Sequence, residues 1–356
     1  MYRKLIVICV AGVTLLGAAG FAAAEDNTWR CLYGEWLKSD ADEYHFTLYE
    51  LDLRTGEGVA FASLPGFHVW SAAADETWDT VLLVGFDLKA EGRFVCYRLA
   101  GPGSGYSGAE PEVILESNGP RQPHADVIFD AGEGAFYFGV EGIGTNADGE
   151  KYRETVLYRY EPAAGPPLEL ARLGHHVSLH CESDEERIYV SYDDETSFGL
   201  RRLYGYVDKS TFDVVPLGIF PDYFGGEPTR YVPYGGPGGA GQYLPAPSAM
   251  VVGPRAYAED TAKAEAAGER AIYLRDPAAA GGYREVKVKG APGPIFYSRS
   301  HDAFVYVIYP TKDEGPAHVA VTYPDGTSAE PVPVSIPEDE AGDTSTPYDY
   351  DLLYVE

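Results

Sequence analysis

The chain has 356 residues, of which 45% are hydrophobic and 23% charged, enough apolar material for one large core or two ordinary ones. Its 27 Lys and Arg against 55 Asp and Glu give a formal net charge of −28, which disfavours binding to nucleic acids and to anionic lipid surfaces. The composition also excludes a collagen, a coiled coil, a disulfide knot and a disordered chain.

The first 24 residues have the pattern of an export signal. Arg3 and Lys4 form a basic start, an apolar run follows over 5–17, and the small residues Ala22 and Ala24 favour cleavage after Ala24. As a helix the apolar run would be roughly 20 Å long, against a bilayer core of about 30 Å. A retained anchor is therefore the weaker alternative, and a periplasmic or secreted protein without a membrane span is expected.

Three cysteines follow this segment: Cys31, Cys96 and Cys181. Because the number is odd, they form at most one internal disulfide, and the sequence leaves its pairing open. Cys96 and Cys181 both lie in apolar runs typical of strands, which favours simple burial.

The remaining chain repeats one pattern of four short strands separated by Gly, Asp, Asn and Pro turns. We name the strands of each unit A to D in chain order. The clearest copies begin near His124 and His176. The predicted units are 28–66, 67–117, 123–173, 175–220, 229–289 and 293–336.

The first unit supplies strands B, C and D but no strand A. The segment 346–356 is alternating and apolar, and we expect it to complete that sheet, since pairing the last open edge removes an aggregation hazard. In the fifth unit, 260–268 reads as a short helix between strands B and C. Strands A and B of that unit, within 229–256, have no clear register.

Six units of four strands predict an all-β, six-bladed β-propeller in a single domain, 25–356. The order of strands and the acidic turns at 183–186 and 301–304 resemble the six-bladed TolB-like propellers of bacterial exported proteins. That resemblance covers nearly the whole chain but carries no functional residue with it. A pair of β-sandwiches is the alternative.

In such a ring the B–C and D–A connections share one face, the top face. Three of these connections are long: 141–154, 220–230 and 257–270. Loops vary without disturbing a scaffold, so extra length there indicates function. The alternative is that these loops are long only because an insertion in a surface loop costs little free energy.

Three histidines begin strand A in consecutive units: His68, His124 and His176. Equivalent positions would bring them to one level near the mouth of the central channel, where a divalent metal bound by neutral imidazoles is expected, with Zn²⁺, Mn²⁺ and Ca²⁺ as the candidates. The arrangement resembles the metal site of propeller-type pectate-oligomer lyases, which implies a metal-stabilised enolate. Repeated packing against the neighbouring blade is the alternative.

Other candidate ligand-binding residues lie near the same face. Trp70 and Tyr223 suit stacking on sugar rings, and Arg121 and Arg230 would offset the negative charge around an acidic ligand.

Two acidic runs are candidate weak Ca²⁺ sites: 146–150 and 193–195, and the second is predicted to lie in a loop. The first lacks the distal Glu of a calcium loop, so solvated acidity is the simpler interpretation. A saline habitat would also account for the acidity of the whole chain.

The sequence contains no nucleophile elbow, zinc-protease motif or phosphate-binding loop. The favoured function is therefore an exported, monomeric binding scaffold that recognises a protein, peptide or glycan through its top face. The alternative is a metal-assisted saccharide lyase or hydrolase that uses the three histidines.

Overall fold

The structure is almost entirely β-strand, with one short 3-10 helix at Pro102–Ser104 among the described residues. The computed structural model describes residues 29–38, 44–88, 92–104, 110–116, 125–145, 147–183, 185–196, 199–218, 242–244, 249–252, 270–275, 283–288, 292–298, 301–308, 316–335 and 350–355. The all-β prediction is confirmed. The signal segment and the helix at 260–268 lie outside these ranges and stay predictions.

The described strands pair antiparallel into six four-stranded sheets, which we call blades 1 to 6. Blades 1 to 3 contain β24 (Tyr350–Val355), β1 (Arg30–Lys38), β2 (Tyr44–Asp52) and β3 (Gly58–Pro65); β4 (Phe67–Ala74), β5 (Thr80–Asp87), β6 (Arg93–Ala100) and β7 (Glu112–Glu116); and β8 (Ala125–Asp130), β9 (Ala135–Thr145), β10 (Lys151–Tyr160) and β11 (Leu168–Arg172). Blades 4 to 6 contain β12 (Val177–Ser183), β13 (Arg187–Thr196), β14 (Gly199–Asp208) and β15 (Val214–Gly218); β16 (Gln242–Leu244), β17 (Ala249–Val252), β18 (Arg270–Arg275) and β19 (Tyr283–Val288); and β20 (Pro292–Ser298), β21 (Ala303–Ile308), β22 (His318–Thr322) and β23 (Val332–Pro333).

In blades 2 and 3, burial falls from the middle strands to the outer edge. The second strand β5 is buried along nearly its whole length, because a middle strand of a stacked sheet is covered on both faces. The outer strands β7 and β11 are exposed or half-buried throughout. Apolar runs such as 81–84 and 304–307 therefore become middle strands.

The innermost strands of the six sheets contact one another in a closed series: β24 with β4, then β8, β12, β16 and β20, and β20 with β24 again. Apolar clusters fill the spaces between blades. Leu82 and Val84 of blade 2, for example, pack with Phe136 and Phe138 of blade 3. The core is thus divided into layers between sheets, as in a propeller.

The two ends of the described chain meet in blade 1. Strand β24 pairs with β1 from Cys31 opposite Val355 to Glu35 opposite Tyr350. This confirms that the first unit takes its inner strand from the C-terminal segment. Cys31 and Cys96 are both free and buried, so neither is cross-linked to the other.

Blade 5 is the least complete sheet. Its strand β16 has three residues and β17 has four. Of its side chains, Val286 and Val288 are described as buried, and both pack against blade 6. The propeller of four-stranded blades is confirmed. The number of six blades stays a prediction, because it counts this short-stranded sheet as a full blade.

The predicted loop at 141–154 is wrong, because β9 and β10 continue as a paired hairpin to Thr145 and Lys151. The strands extend here through cross-strand contacts rather than apolar alternation. The ring of Tyr152 lies over Gly144, and Arg153 bonds Glu141. The acidic run 193–195 likewise lies in strand β13 and not in a loop.

A buried ion-pair cluster joins the bottom of blades 3 and 4. Nζ of Lys209 bonds Asp130 and lies 2.8 Å from Oε1 of Glu133. Glu133 also accepts from the hydroxyl of Tyr137 at 2.7 Å.

Candidate functional site

The inner strand of blade 2 carries a β-bulge at Trp70. Val69 pairs with Gly85 and Ser71 pairs with Val84, so Trp70 is the extra residue inserted into the strand register. Bulges re-aim side chains and occur next to functional sites. The side chain of Trp70 is 40% exposed, in contrast to the buried Val69 and Ala72 on the same strand. The top end of this strand therefore presents a large aromatic surface to solvent.

His68 and Phe86 support Trp70 from behind. The His68 and Phe86 rings are stacked with centroids 4.5 Å apart and an interplanar angle of 9°. The Trp70 ring lies 5.6 Å from His68 and 6.1 Å from Phe86. Three packed rings fix the indole, so little side-chain entropy is lost when a ligand binds it.

The approach of strand β5 to His68 depends on Gly85. A Cβ atom at Gly85 would lie 1.9 Å from the carbonyl oxygen of His68. Burial lowers the pKa of His68 below its usual 6.5, which keeps the imidazole neutral at pH 7. His68 is therefore an uncharged part of this aromatic group.

His176 lies at the corresponding end of blade 4, beside Glu141 of blade 3. Nε2 of His176 is 3.6 Å from Oε2 of Glu141, and the two side chains are 7% and 8% exposed. Arg153 binds the same carboxylate with Nε at 2.6 Å and Nη2 at 2.8 Å. The carboxylate is thus buried between a guanidinium and an imidazole.

A hydrogen-bonded clasp holds this part of blade 4 against the hairpin of blade 3. The amide of Val177 donates to Oγ1 of Thr155 at 2.8 Å, and that hydroxyl contacts the carbonyl of Val177 at 3.3 Å. His176 is positioned by the clasp, because it directly precedes Val177. The extended hairpin fixes the top of the junction between blades 3 and 4.

Polar side chains cover the opposite face of the same hairpin, toward blade 2. Oε1 of the buried Glu154 accepts from Nη1 of Arg172 at 2.7 Å, and Oε2 lies 3.5 Å from the hydroxyl of Tyr152. Nε of Arg172 also donates to Glu169 at 3.2 Å. Arg172 remains 57% exposed, so its position is fixed while much of the guanidinium faces solvent.

Equivalent hydrogen bonds connect the inner strands around the channel. Oγ of Ser71 accepts from the amide of Val127 at 3.2 Å, and Oδ2 of Asp126 accepts from the amide of Leu179 at 3.1 Å. Each bond joins one inner strand to the next. Ser71 and Asp126 therefore occupy equivalent levels, with Trp70 as the insertion that separates Ser71 from His68.

The structure describes three of the predicted site residues: His68, Trp70 and His176. His68 and Trp70 belong to the aromatic group on blade 2, whereas His176 lies beside Glu141. The other four, His124, Arg121, Tyr223 and Arg230, lie outside the described residues.

The metal site on His68, His124 and His176 stays a prediction. In the part of the chain that is described, no three His, Cys, Asp or Glu side chains are grouped as metal ligands. The metal content of the purified protein and of His124→Ala is the direct measurement.

Sequence reasoning missed Phe86, Glu141, Tyr152, Glu154 and Arg172. Glu141, Tyr152 and Glu154 fall in the predicted loop 141–154, and Phe86 and Arg172 fall within the predicted units 67–117 and 123–173 without any mark of function. His68 pairs with Phe86 in the β4–β5 register, which the order of strands alone does not specify. The hairpin residues had no signal either, because Gly, Asn and Asp between 142 and 149 indicate a turn.

Comparisons with known proteins give solved structures of low similarity. No family model matches the chain, and no curated protein matches it. TolB from Acinetobacter baumannii is 11% identical with a TM-score of 0.46, over 83% of this chain and 62% of that one. The propeller domain of the Trilobed protease from Pyrococcus furiosus is 10% identical with a TM-score of 0.47, over 85% of this chain and 81% of that one.

A putative 6-phosphogluconolactonase from Bacteroides uniformis is 12% identical with a TM-score of 0.44, over 91% of this chain and 88% of that one. At these scores the similarities carry no argument about activity, and the site rests on its own geometry. The described residues include no helix with the length and hydropathy needed to cross a bilayer.

Proposed function

We propose that this chain is an exported binding scaffold that recognises a protein, peptide or glycan through the top face of its propeller. The observation that carries the proposal is Trp70, an exposed indole on a bulged inner strand, supported by His68 and Phe86. Tryptophan on a rigid support is the residue type that most often dominates binding energy at an interface.

The surrounding structure supports a binding role at this place. The top of blades 3 and 4 is fixed by Thr155 and by the Glu141–Arg153 pair, so the face is preorganised. The basic and apolar pattern within the first 24 residues supports the export part of the proposal, with a monomer in the periplasm or outside the cell as the proposed form. Propeller-type scaffolds support many unrelated tasks, so the ligand is determined by the side chains at the site.

The test compares three immobilised proteins in capture experiments from cell-envelope extract: wild type, Trp70→Ala and Leu168→Ala. Leu168 is the matched control, because it is an exposed apolar residue on the outer strand β11. We expect the same ligand on wild type and Leu168→Ala and its loss on Trp70→Ala, with unchanged circular dichroism in all three. Equal recovery by Trp70→Ala, or no recovery by wild type, contradicts the proposal.

A further inference from the structure

One wall of the space between blades 2 and 3 is aromatic at its top. Leu82 and Val84 of β5 pack into the cluster shared with blade 3. Because side chains alternate along a strand, Phe86 follows on that same face, and the exposed Leu88 comes directly after the end of β5. The Phe86 ring packs against the rings of His68 and Trp70, and Leu88 is exposed. The packed layer between the blades thus ends in an apolar surface that is open to solvent.

On blade 3, the surface that faces this aromatic wall has glycines at the top end of strand β9. Val140 belongs to the shared cluster, and Gly142 and Gly144 follow it on the same face of β9. Tyr152 and Glu154 lie across these two glycines: a Cβ at Gly144 would meet Cζ of Tyr152 at 2.4 Å, and one at Gly142 would meet Cγ of Glu154 at 3.5 Å. This wall is therefore low and polar, whereas the wall on blade 2 is bulky and aromatic.

We propose that these two walls, at the top of blades 2 and 3, form a cleft that binds a saccharide. The inference rests on the proposed function and names its ligand class. A sugar ring has one face of C–H groups, which suits the indole of Trp70, and a rim of hydroxyls, which suits planar hydrogen-bonding groups.

Arg172 and Tyr152 supply the polar contacts to the sugar. Glu154 and Glu169 bind Nη1 and Nε of Arg172, which orients the guanidinium and leaves Nη2 to donate to hydroxyl or ring oxygens. The hydroxyl of Tyr152 lies on the same polar wall, held near Glu154. The net charge of −28 argues against nucleotide or phosphate-rich ligands in this cleft.

The test is affinity electrophoresis of the full chain in native gels that contain one soluble polysaccharide each: hydroxyethylcellulose, xylan, laminarin, glycol chitin or polygalacturonate. We expect at least one gel to retard the wild type. Trp70→Ala should weaken that retardation at least tenfold in apparent affinity, and Trp70→Phe, which keeps an aromatic face, should weaken it about threefold or less. Arg172→Gln should weaken it, and Leu168→Ala should not change it.

Two results overturn the saccharide assignment: no retardation of the folded wild type in any of the five gels, or equal retardation of Trp70→Ala and wild type. The capture experiment separates this failure from failure of the proposed function. If a protein or peptide is captured in a Trp70-dependent way and no polysaccharide retards the chain, the saccharide assignment is excluded and the proposed binding function is kept. The absence of both removes the binding site at Trp70 altogether.

Discussion

Lys209 in the last turn of blade 4 is buried against Asp130 in the first turn of blade 3, with side chains 8% and 5% exposed. The two residues are far apart in sequence and join neighbouring sheets at the bottom of the ring. Replacing Lys209 by Met keeps the alkyl stem but removes the cation that Asp130 and Glu133 share, while Glu133 keeps its ion pair with Arg159 at 3.2 Å. We expect the free energy of unfolding to fall by about 3 kcal/mol, because removal of one partner leaves a buried charge uncompensated.

Chemical denaturation of Lys209→Met measures this loss. Lys287→Met is the control, since Lys287 is exposed on strand β19, and it should change stability by less than about 0.5 kcal/mol. Adding Asp130→Asn to Lys209→Met should recover part of the loss. Equal stability of Lys209→Met and wild type would show that the pair contributes nothing.

The same cluster predicts a pH window for stability. Burial opposes ionisation of Glu133, but hydrogen bonds from Lys209 and Tyr137 outweigh it and lower the pKa of Glu133 below its usual 4.5. Burial likewise opposes the charge on Lys209, but hydrogen bonds to Asp130 and Glu133 raise its pKa above 10.5. A lowered carboxyl pKa stabilises above the unfolded value, and a raised ammonium pKa stabilises below it.

The stability difference between wild type and Lys209→Met should therefore be greatest between about pH 5 and about pH 10. It should shrink as Glu133 becomes protonated on the acid side and as Lys209 loses its proton on the alkaline side. Denaturation midpoints of both proteins across pH 3 to pH 11, in about one-unit steps, test this. A difference that does not depend on pH would exclude the charge pair as its cause.

Gly85 predicts a steric effect at the candidate site. Ala at this position would place Cβ 1.9 Å from the His68 carbonyl, and the contact is with backbone, which cannot rotate away. We expect Gly85→Ala to cost at least about 2 kcal/mol, through separation of β4 from β5. Gly132→Ala is the control, because its nearest contact is Oδ1 of Asp130 at 3.3 Å. Thermal melts of the two variants that coincide would contradict the close approach.

Deletion of 350–356 tests the role of the closing strand. The deletion leaves the β1 edge unpaired from Cys31 to Glu35, and we expect the thermal midpoint to fall by more than about 10 °C. A synthetic peptide with the deleted sequence should restore part of the midpoint, and a scrambled peptide should not. A truncated protein as stable as the full chain would show that the β24–β1 pairing is dispensable.

Much of the architecture was predictable because apolar alternation determines which segments become strands. The runs beginning at Ala125 and Ala135 become β8 and β9, and the acidic turn between them is capped by Asp130, which accepts from the amide of Glu133. The first unit has only strands B, C and D, and the C-terminal segment is one strand without a sheet. The sequence therefore predicts that the two pair with each other. These features depend on local sequence and on one open edge.

The candidate site was less predictable because it depends on features that pattern reasoning does not reach. The bulge at Trp70 moves one residue out of register without any Gly or Pro to indicate it. The hairpin to Thr145 is held by contacts such as Arg153 with Glu141, which join residues in a segment that reads as a turn. Exposure of Trp70, rather than its presence, distinguishes it from Trp78, which is fully buried.

The pairing of β24 with β1 also constrains the order in which the protein forms during synthesis. Strands β1 to β3 emerge first, yet their sheet lacks its channel-side member until residue 355 has left the ribosome. Blades 2 to 6 each take all four strands from one continuous segment and are free to assemble earlier. The first sheet translated is thus the last one finished, and chaperones that shield exposed strand edges would act on it for longest.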